Sequence, residues 1–170
     1  VGLRALRVSY TGELGWELHT PINEMLPVYE ALVAAGEPLG MMHLGSAALN
    51  CLRMEKAYRS GSELTNEVTM AEVGLLGFAR LDKEYIGVET NRREAEEGVS
   101  KWVLAYLQLD DDVTREVGAD PVGGESVWFN GKPTGTITSG GYGYEIGAPL
   151  YFAFTKPEAG VAGNDVEVLV

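Results

Sequence analysis

The sequence predicts an α+β fold in two parts. A mixed segment of strands and helices runs to about residue 90, and a series of short strands forming a small antiparallel barrel or sandwich follows. Three observations predict this. Two amphipathic helical patterns lie within the first 60 residues, next to alternating strand-like stretches. A strongly charged segment, "KEYIGVETNRREAEEGVSK", then breaks the apolar pattern, so the boundary falls near residues 88–100. From Trp102 onward, short β-rich runs recur between glycine-rich turns.

The elements follow in order. "LRALRVSY" alternates through Leu6, Val8 and Tyr10 and predicts a strand, and "GWELHTP" predicts another after a glycine-rich turn or bulge. Ile22, Met25, Leu26, Tyr29, Leu32 and Val33 keep helical spacing. Pro27 is tolerated only near the first turn, so the regular helix begins close to it, and Gly36 marks its end. A second helix carries Leu44, Ala47, Ala48, Cys51 and Leu52 on one apolar stripe, with Glu55 in line and Asn50, Arg53 and Lys56 directed elsewhere. Thr69 is expected to cap a short helical turn with Glu72 in capping-box spacing. "GFARLD" predicts a strand, and the charged segment after it a short helix at most. "WVLAYLQL" predicts a strand, and "SVWFNGKPTGTITS" a hairpin turning at Asn130-Gly131, where both residues favour positive φ. "PLYFAFT" and "DVEVLV" add two more strands.

Composition narrows the function classes. The chain has 170 residues, 45% of them hydrophobic, enough for one sizeable core or two small ones. A net charge of −12 argues against partners with anionic backbones, nucleic acid or acidic membrane surfaces. No apolar run approaches the ~20 residues of a membrane span. The lone cysteine, Cys51, excludes an internal disulfide and reads as inert packing. His19 and His43 have no ligand-spaced neighbours, so no metal role is assigned. The chain starts at Val1 without an initiator Met or signal peptide and ends in the strand-like "NDVEVLV". Both ends are expected to be cut points in a longer protein, located in the cytoplasm, or in the mitochondrial matrix if eukaryotic.

The stretch "SYTGELGWEL", Ser9 to Leu18, is the first candidate for chemistry. In an extended segment, Trp16 and Leu18 share one face and Glu17 and His19 the other. A carboxylate there presents two acceptor oxygens side by side, matching a planar ligand edge with two N–H donors, such as a pterin or guanine, and a nearby aromatic can stack on the ring. The same residue types also describe a solvent-facing strand with ordinary exposed acids, the commoner arrangement. Glu55, in line with a buried stripe, needs a partner: Arg53, Lys56, Arg59 or a backbone N–H. An ion pair fixing the helix end is favoured there over a catalytic acid. Tyr58 lines a pocket or closes the core. "TSGGYGYEIG" lacks the Lys and the following helix of a phosphate loop and predicts a loop at a barrel rim.

"RVSYTGELGWELH", "GSAALNCLRMEKAYRSGSEL", "LDKEYIG" and "GKPTGTITSGG" together resemble the glycine cleavage T-protein (aminomethyltransferase) superfamily, in its order and spacing, over essentially the whole chain. Within it, "ALNCLRMEKAYR" and "ESVWFNGKPTGTITSGGYGYEIGAPLYFAF" are most similar to the C-terminal folate-binding region of dimethylglycine and sarcosine dehydrogenases. The resemblance implies a partial second α/β subdomain of the folate-binding fold over residues 1–90, then a C-terminal β-barrel over 91–170. It implies tetrahydrofolate as cofactor, with FAD confined to a preceding domain that oxidises a small N-methyl amine. By the same resemblance Glu17 grips the pterin, and Tyr10 and Tyr58 line the folate site. The family's catalytic aspartate belongs to the N-terminal half, so no catalytic residue is expected in this chain, which alone would be inactive.

One departure bears on the branch. Where the T-protein proper has a folate-contacting arginine in an "A-R-D" triplet, this chain has Leu49. The alternatives are a stand-alone aminomethyltransferase of glycine cleavage, a folate-dependent demethylase paralogue, or a folate-binding protein of iron–sulfur maintenance. The last carries a cysteine that "EKAYRSGSE" lacks.

Overall fold

A computed structural model describes residues 2–99, 101–110 and 121–169. Val1 and Val170, at the two expected cut points, and Ser100, in the charged segment, lie outside the described residues. The fold is α+β. Strands β1 (Arg4–Leu6) and β2 (Glu17–His19) pair antiparallel, with Leu6 opposite Glu17. A 3-10 turn at Ile22–Glu24 leads into helix α1 (Met25–Gly36), with Pro27 in its first turn as the ring requires. After Gly40, at φ 78°, the chain enters helix α2 (Ser46–Glu55). Helix α3 (Val88–Glu97) closes the first part.

The second part is a five-stranded antiparallel sheet. Its strands are β3 (Val103–Gln108), β4 (Ser126–Phe129), β5 (Lys132–Gly143), β6 (Ala148–Thr155) and β7 (Glu167–Leu169), in spatial order β3-β6-β5-β4-β7. The β4–β5 hairpin turns at Asn130 and Gly131, both at positive φ (51° and 72°), which matches the twist of the flanking strands. The sheet curls into a small barrel. Leu107 and Leu109 from one edge and Val166 and Val168 from the other pack on one core of Val127, Ile137, Tyr151 and Ala153.

Strand β6 is the pivot of the molecule, buried along almost its whole length. Its alternation sends Tyr151 and Ala153 into the barrel and Leu150 and Phe152 to the opposite face, where they meet Met54 of α2. Helix α2 therefore lies directly on the barrel wall. Its last carbonyls are tied there too: the Tyr106 hydroxyl donates to Met54 O at 2.6 Å.

Several sequence expectations need correction. Helix α1 forms but buries none of its residues; Ile22, just before it, is 86% exposed. In α2 the stripe of Leu44, Ala47 and Ala48 is exposed, and Cys51 and Leu52 are half-buried, while Arg53 and Met54 are fully buried. The inward face is the neighbouring i, i+3, i+4, i+7 row of Asn50, Arg53, Met54 and Ala57. Hydrophobicity alone favoured the wrong row, because the barrel offers polar partners to Asn50 and Arg53. "GFARLD" is not a strand: it forms a 3-10 turn, Leu76–Phe78, then irregular chain closed by an Arg80–Asp82 pair at 2.6 Å. "TSGGYGYEIG" is mostly strand, the second half of β5, with only residues 144–147 in a turn. The Thr69–Glu72 capping box does form: Thr69 N donates to Glu72 Oε2 at 2.9 Å and Glu72 N to Thr69 Oγ1 at 3.2 Å.

Candidate functional site

The residues between β1 and β2 fold back on themselves, and the glycines of "SYTGELGWEL" are needed for that. Gly12 stands at φ 74° with the Lys56 side chain across it, and a Cβ on Gly15 would lie 2.8 Å from Ser9 Cβ. The Ser9 and Thr11 hydroxyls bond at 2.6 Å, and Ser9 Oγ accepts from Thr11 N at 3.1 Å, which tightens the turn. Arg7, Val8, Ser9, Gly12, Glu13, Gly15 and Tyr58 line a shallow cavity of about 260 Å³ beside it. A larger hollow of about 510 Å³, between β3 and β7, carries none of the expected site residues.

Two of the three expected site residues come together. The rings of Tyr10 and Tyr58 stack with centroids 5.8 Å apart and planes at 24°. The Tyr10 hydroxyl donates to the carbonyl of Arg59, and burial, the largest influence on it, pushes its pKa up. Glu17 lies apart from the cavity lining, on β2, with its side chain 55% exposed and Oε2 at 3.3 Å from His19 Nε2. Glu55 finds a backbone partner: Oε1 accepts from Glu145 N at 2.9 Å, tying the end of α2 to the β5–β6 turn.

Beneath the tyrosine pair lies a buried ionic network that the sequence reading did not find. Arg53 (2% exposed) and Glu63 (0%) pair at 3.4 Å. Every donor of the guanidinium is placed: Nε and Nη2 on Asn50 Oδ1 (3.0 and 2.8 Å), Nη2 also on Ser139 Oγ (2.8 Å), and Nη1 on Tyr58 O (2.9 Å) and Glu63 Oε2. Glu63 Oε1 accepts from the Thr138 and Ser139 hydroxyls, each at 2.6 Å, and Oε2 from Ser60 N (2.7 Å) and Ser60 Oγ (2.9 Å). Adjacent strand residues ordinarily face opposite ways. A bulge in β5 between Ile137 and Ser139 sets two residues against one on β6 and lets both hydroxyls reach the same carboxylate oxygen.

The sequence did hold one signal for this. The pair Gly140-Gly141 marks where α2 approaches β5: Asn50 Nδ2 donates to Gly140 O at 2.7 Å, and a Cβ on Gly141 would lie 3.2 Å from that nitrogen.

Burial pushes the Glu63 carboxyl up, but hydrogen bonds from Ser139, Thr138 and Ser60 outweigh it and hold the group below its ordinary 4.5. A depressed native value gives stability that is present in full above the unfolded value and is lost as pH falls through the native one. We expect urea unfolding to show a loss of stability below pH 4.5 that is smaller in Glu63→Gln, measured against wild type at each pH. Parallel pH profiles for the two proteins would remove Glu63 as the titrating group.

The family profile "GCVT N-terminal domain" matches residues 1–83, and "Glycine cleavage T-protein C-terminal barrel domain" matches 104–170. The chain belongs to the glycine cleavage T-protein (aminomethyltransferase) superfamily. Among curated members it is similar to mouse mitochondrial dimethylglycine dehydrogenase, 38% identical over 99% of this chain and 19% of that protein. It is also similar to the aminomethyltransferase of Shouchella clausii, 31% identical over 98% of this chain and 44% of that one. The chain thus spans under half the length of these aminomethyltransferase-superfamily relatives. Its fold matches the glycine cleavage system aminomethyltransferase T of Bartonella henselae with a TM-score of 0.84, at 21% identity over 98% of this chain and 45% of that one.

Proposed function

We propose that this chain is the tetrahydrofolate-binding one-carbon transfer module of a larger N-methyl amine dehydrogenase of the dimethylglycine or sarcosine type. In this reading residues 1–90 form the partial folate-binding subdomain and 91–170 the barrel. The observation that carries the reading is the convergence of Tyr10 and Tyr58, far apart in sequence, into one stacked aromatic wall next to the "YTGELG" turn. Tetrahydrofolate fits the residues present: the tyrosine faces suit a planar ring, and the Glu17 carboxylate, exposed and acceptor-only, suits the paired N–H donors of a pterin. When bound, the folate supplies the nucleophilic nitrogen that accepts the one-carbon unit. The chain's own part is to hold and orient the ring and to exclude water.

The exposed apolar face of α1 and the short span of the relatives covered support a larger parent, which would also carry the catalytic aspartate and the FAD domain for the N-methyl amine. The similarity to mitochondrial dimethylglycine dehydrogenase favours the dehydrogenase branch over a stand-alone aminomethyltransferase, and a mitochondrial matrix location if the source is eukaryotic.

The test is a tetrahydrofolate titration of the whole protein carrying these residues. Glu17→Gln is expected to raise Kd roughly tenfold to a hundredfold, the worth of hydrogen bonds to a charged acceptor. Tyr58→Ala is expected to raise it about fivefold to tenfold. Equal binding by wild type and Glu17→Gln would remove Glu17 from the site. Absence of binding by the wild type would end the folate reading.

A further inference from the structure

We infer that the Arg53–Glu63 pair, held from the barrel by Thr138 and Ser139, is a positioning device for Tyr58 and Tyr10, so that strand β5 sets the geometry of the site wall. This rests on the proposal that these two tyrosines line the folate site.

The argument begins with the loop at residues 57–60, which carries Tyr58. The loop leaves α2 through Ala57, which at φ 52° is the left-handed residue of a helix C-cap: Ala57 N donates to Met54 O at 2.9 Å and Tyr58 N to Arg53 O at 3.0 Å. The cap fixes the exit from the helix, and side-chain contacts then grip the carbonyls and the next amide in turn. Arg59 Nη1 donates to Ala57 O at 3.1 Å, Arg53 Nη1 to Tyr58 O at 2.9 Å, and the Tyr10 hydroxyl to Arg59 O. Ser60 N is held by Glu63 at 2.7 Å. Two of these four grips come from the buried pair, and a third brings Tyr10 against Tyr58. Within the loop the pair is bonded at Tyr58 O and at the Ser60 N–H and hydroxyl. Its fixed points outside the loop are Asn50 on α2 and the two hydroxyls aimed by the β5 bulge.

A bulge that turns two adjacent hydroxyls onto one buried carboxylate does more than a sheet requires. A regular strand with an apolar residue in place of Ser139 would pack on Met54 without a charge to satisfy. The ionic arrangement instead gives one defined position to the backbone of residues 58 and 60. The tyrosine pair is thereby fixed before any ligand arrives, which lowers the ordering cost of binding a flat ring.

The test uses Ser139→Ala in the whole protein, with Thr138→Val as a second variant should the first fail to fold. Neither residue lines the tyrosine cavity. The readouts are tetrahydrofolate affinity and amide hydrogen exchange at residues 57–60. Ser139→Ala is expected to raise Kd about fivefold and to speed exchange at 57–60 selectively. In a Tyr58→Ala background its effect on Kd is expected to vanish, because it acts through that ring. A merely structural role would instead give additive losses, and additivity overturns the inference. So does an unchanged Kd in Ser139→Ala while Tyr58→Ala weakens binding, an outcome that leaves the folate reading standing. If the wild type binds no folate, that reading falls, and the inference is then decided by exchange alone: unchanged protection at 57–60 overturns it.

Discussion

Glu63→Ala is expected to destabilise the protein by about 3–5 kcal/mol, the loss typical of breaking a buried ion pair from one side. The substitution leaves the Arg53 guanidinium, 2% exposed, without its counter-charge, and strips the acceptor from the Thr138 and Ser139 hydroxyls and from Ser60 N. The remaining partners of Arg53, Asn50 Oδ1, Ser139 Oγ and Tyr58 O, are neutral and cannot offset the desolvated cation. Replacing both members, Arg53→Met with Glu63→Met, is expected to cost less than Glu63→Ala, because no charge is left buried. Urea unfolding of the two singles and the double measures this directly. A Glu63→Ala loss under about 1 kcal/mol would mean that water or rearrangement satisfies Arg53 and that the pair is not the buried keystone described above.

Phe152→Ala is the second large effect, expected at about 3–5 kcal/mol. Phe152 is 1% exposed and stands where the two halves of the chain meet. It packs on Met54 of α2 and on Leu150, its ring is tilted against Tyr106 with centroids 5.2 Å apart, and the guanidiniums of Arg53 and Arg59 each lie 5.8 Å from its centroid. The loss combines a cavity with two forfeited cation–π contacts in a dry setting. Phe152→Leu keeps most of the volume and removes only the ring, so about 1–2 kcal/mol is expected. Thermal or urea unfolding separates the two variants. Equal losses would show that the ring's charge contacts, not its volume, dominate. Because Arg59 also holds Ala57 O and Val73 O, Phe152→Ala should additionally loosen the loop that carries Tyr58.

Local features were readable without a structure. Asn130-Gly131 specifies its hairpin through the φ angles those two residues accept, and Thr69 with Glu72 specifies its cap through a three-residue spacing. Pro27 marks the first turn of α1 for a reason internal to that helix, but Gly36, where α1 ends, stays right-handed at φ −87° and the chain continues in a 3-10 turn to the left-handed Gly40. The family was readable as well, because the "YTGELGWE" and "LRMEK" blocks stand together in order.

The site was only half readable. The resemblance names Tyr10 and Tyr58, and their stacking bears on the proposed wall, but the sequence does not set the fully buried Glu63 apart from the chain's other acids. Its bonds to Ser60, three residues away in capping-box spacing, are local, but Arg53, Thr138 and Ser139 lie 10, 75 and 76 positions away and no local pattern joins those to it. The orientation of α2 is not legible in the sequence for a related reason. Hydrophobic periodicity ranks a face by its own side chains, whereas the buried row carries Asn50 and Arg53, which are accepted inside only because β5 supplies Gly140 O and Ser139 Oγ.

By itself, then, the sequence determined what depends on neighbours along the chain: the helices, the hairpin, the capped turn, the strand-rich second part and the membership of the aminomethyltransferase superfamily. Only the tertiary structure decided which face of α2 is buried, where Glu63 goes and how Tyr58 meets Tyr10. Those outcomes turn on whether a buried charge finds partners, and the partners are brought together by the fold alone.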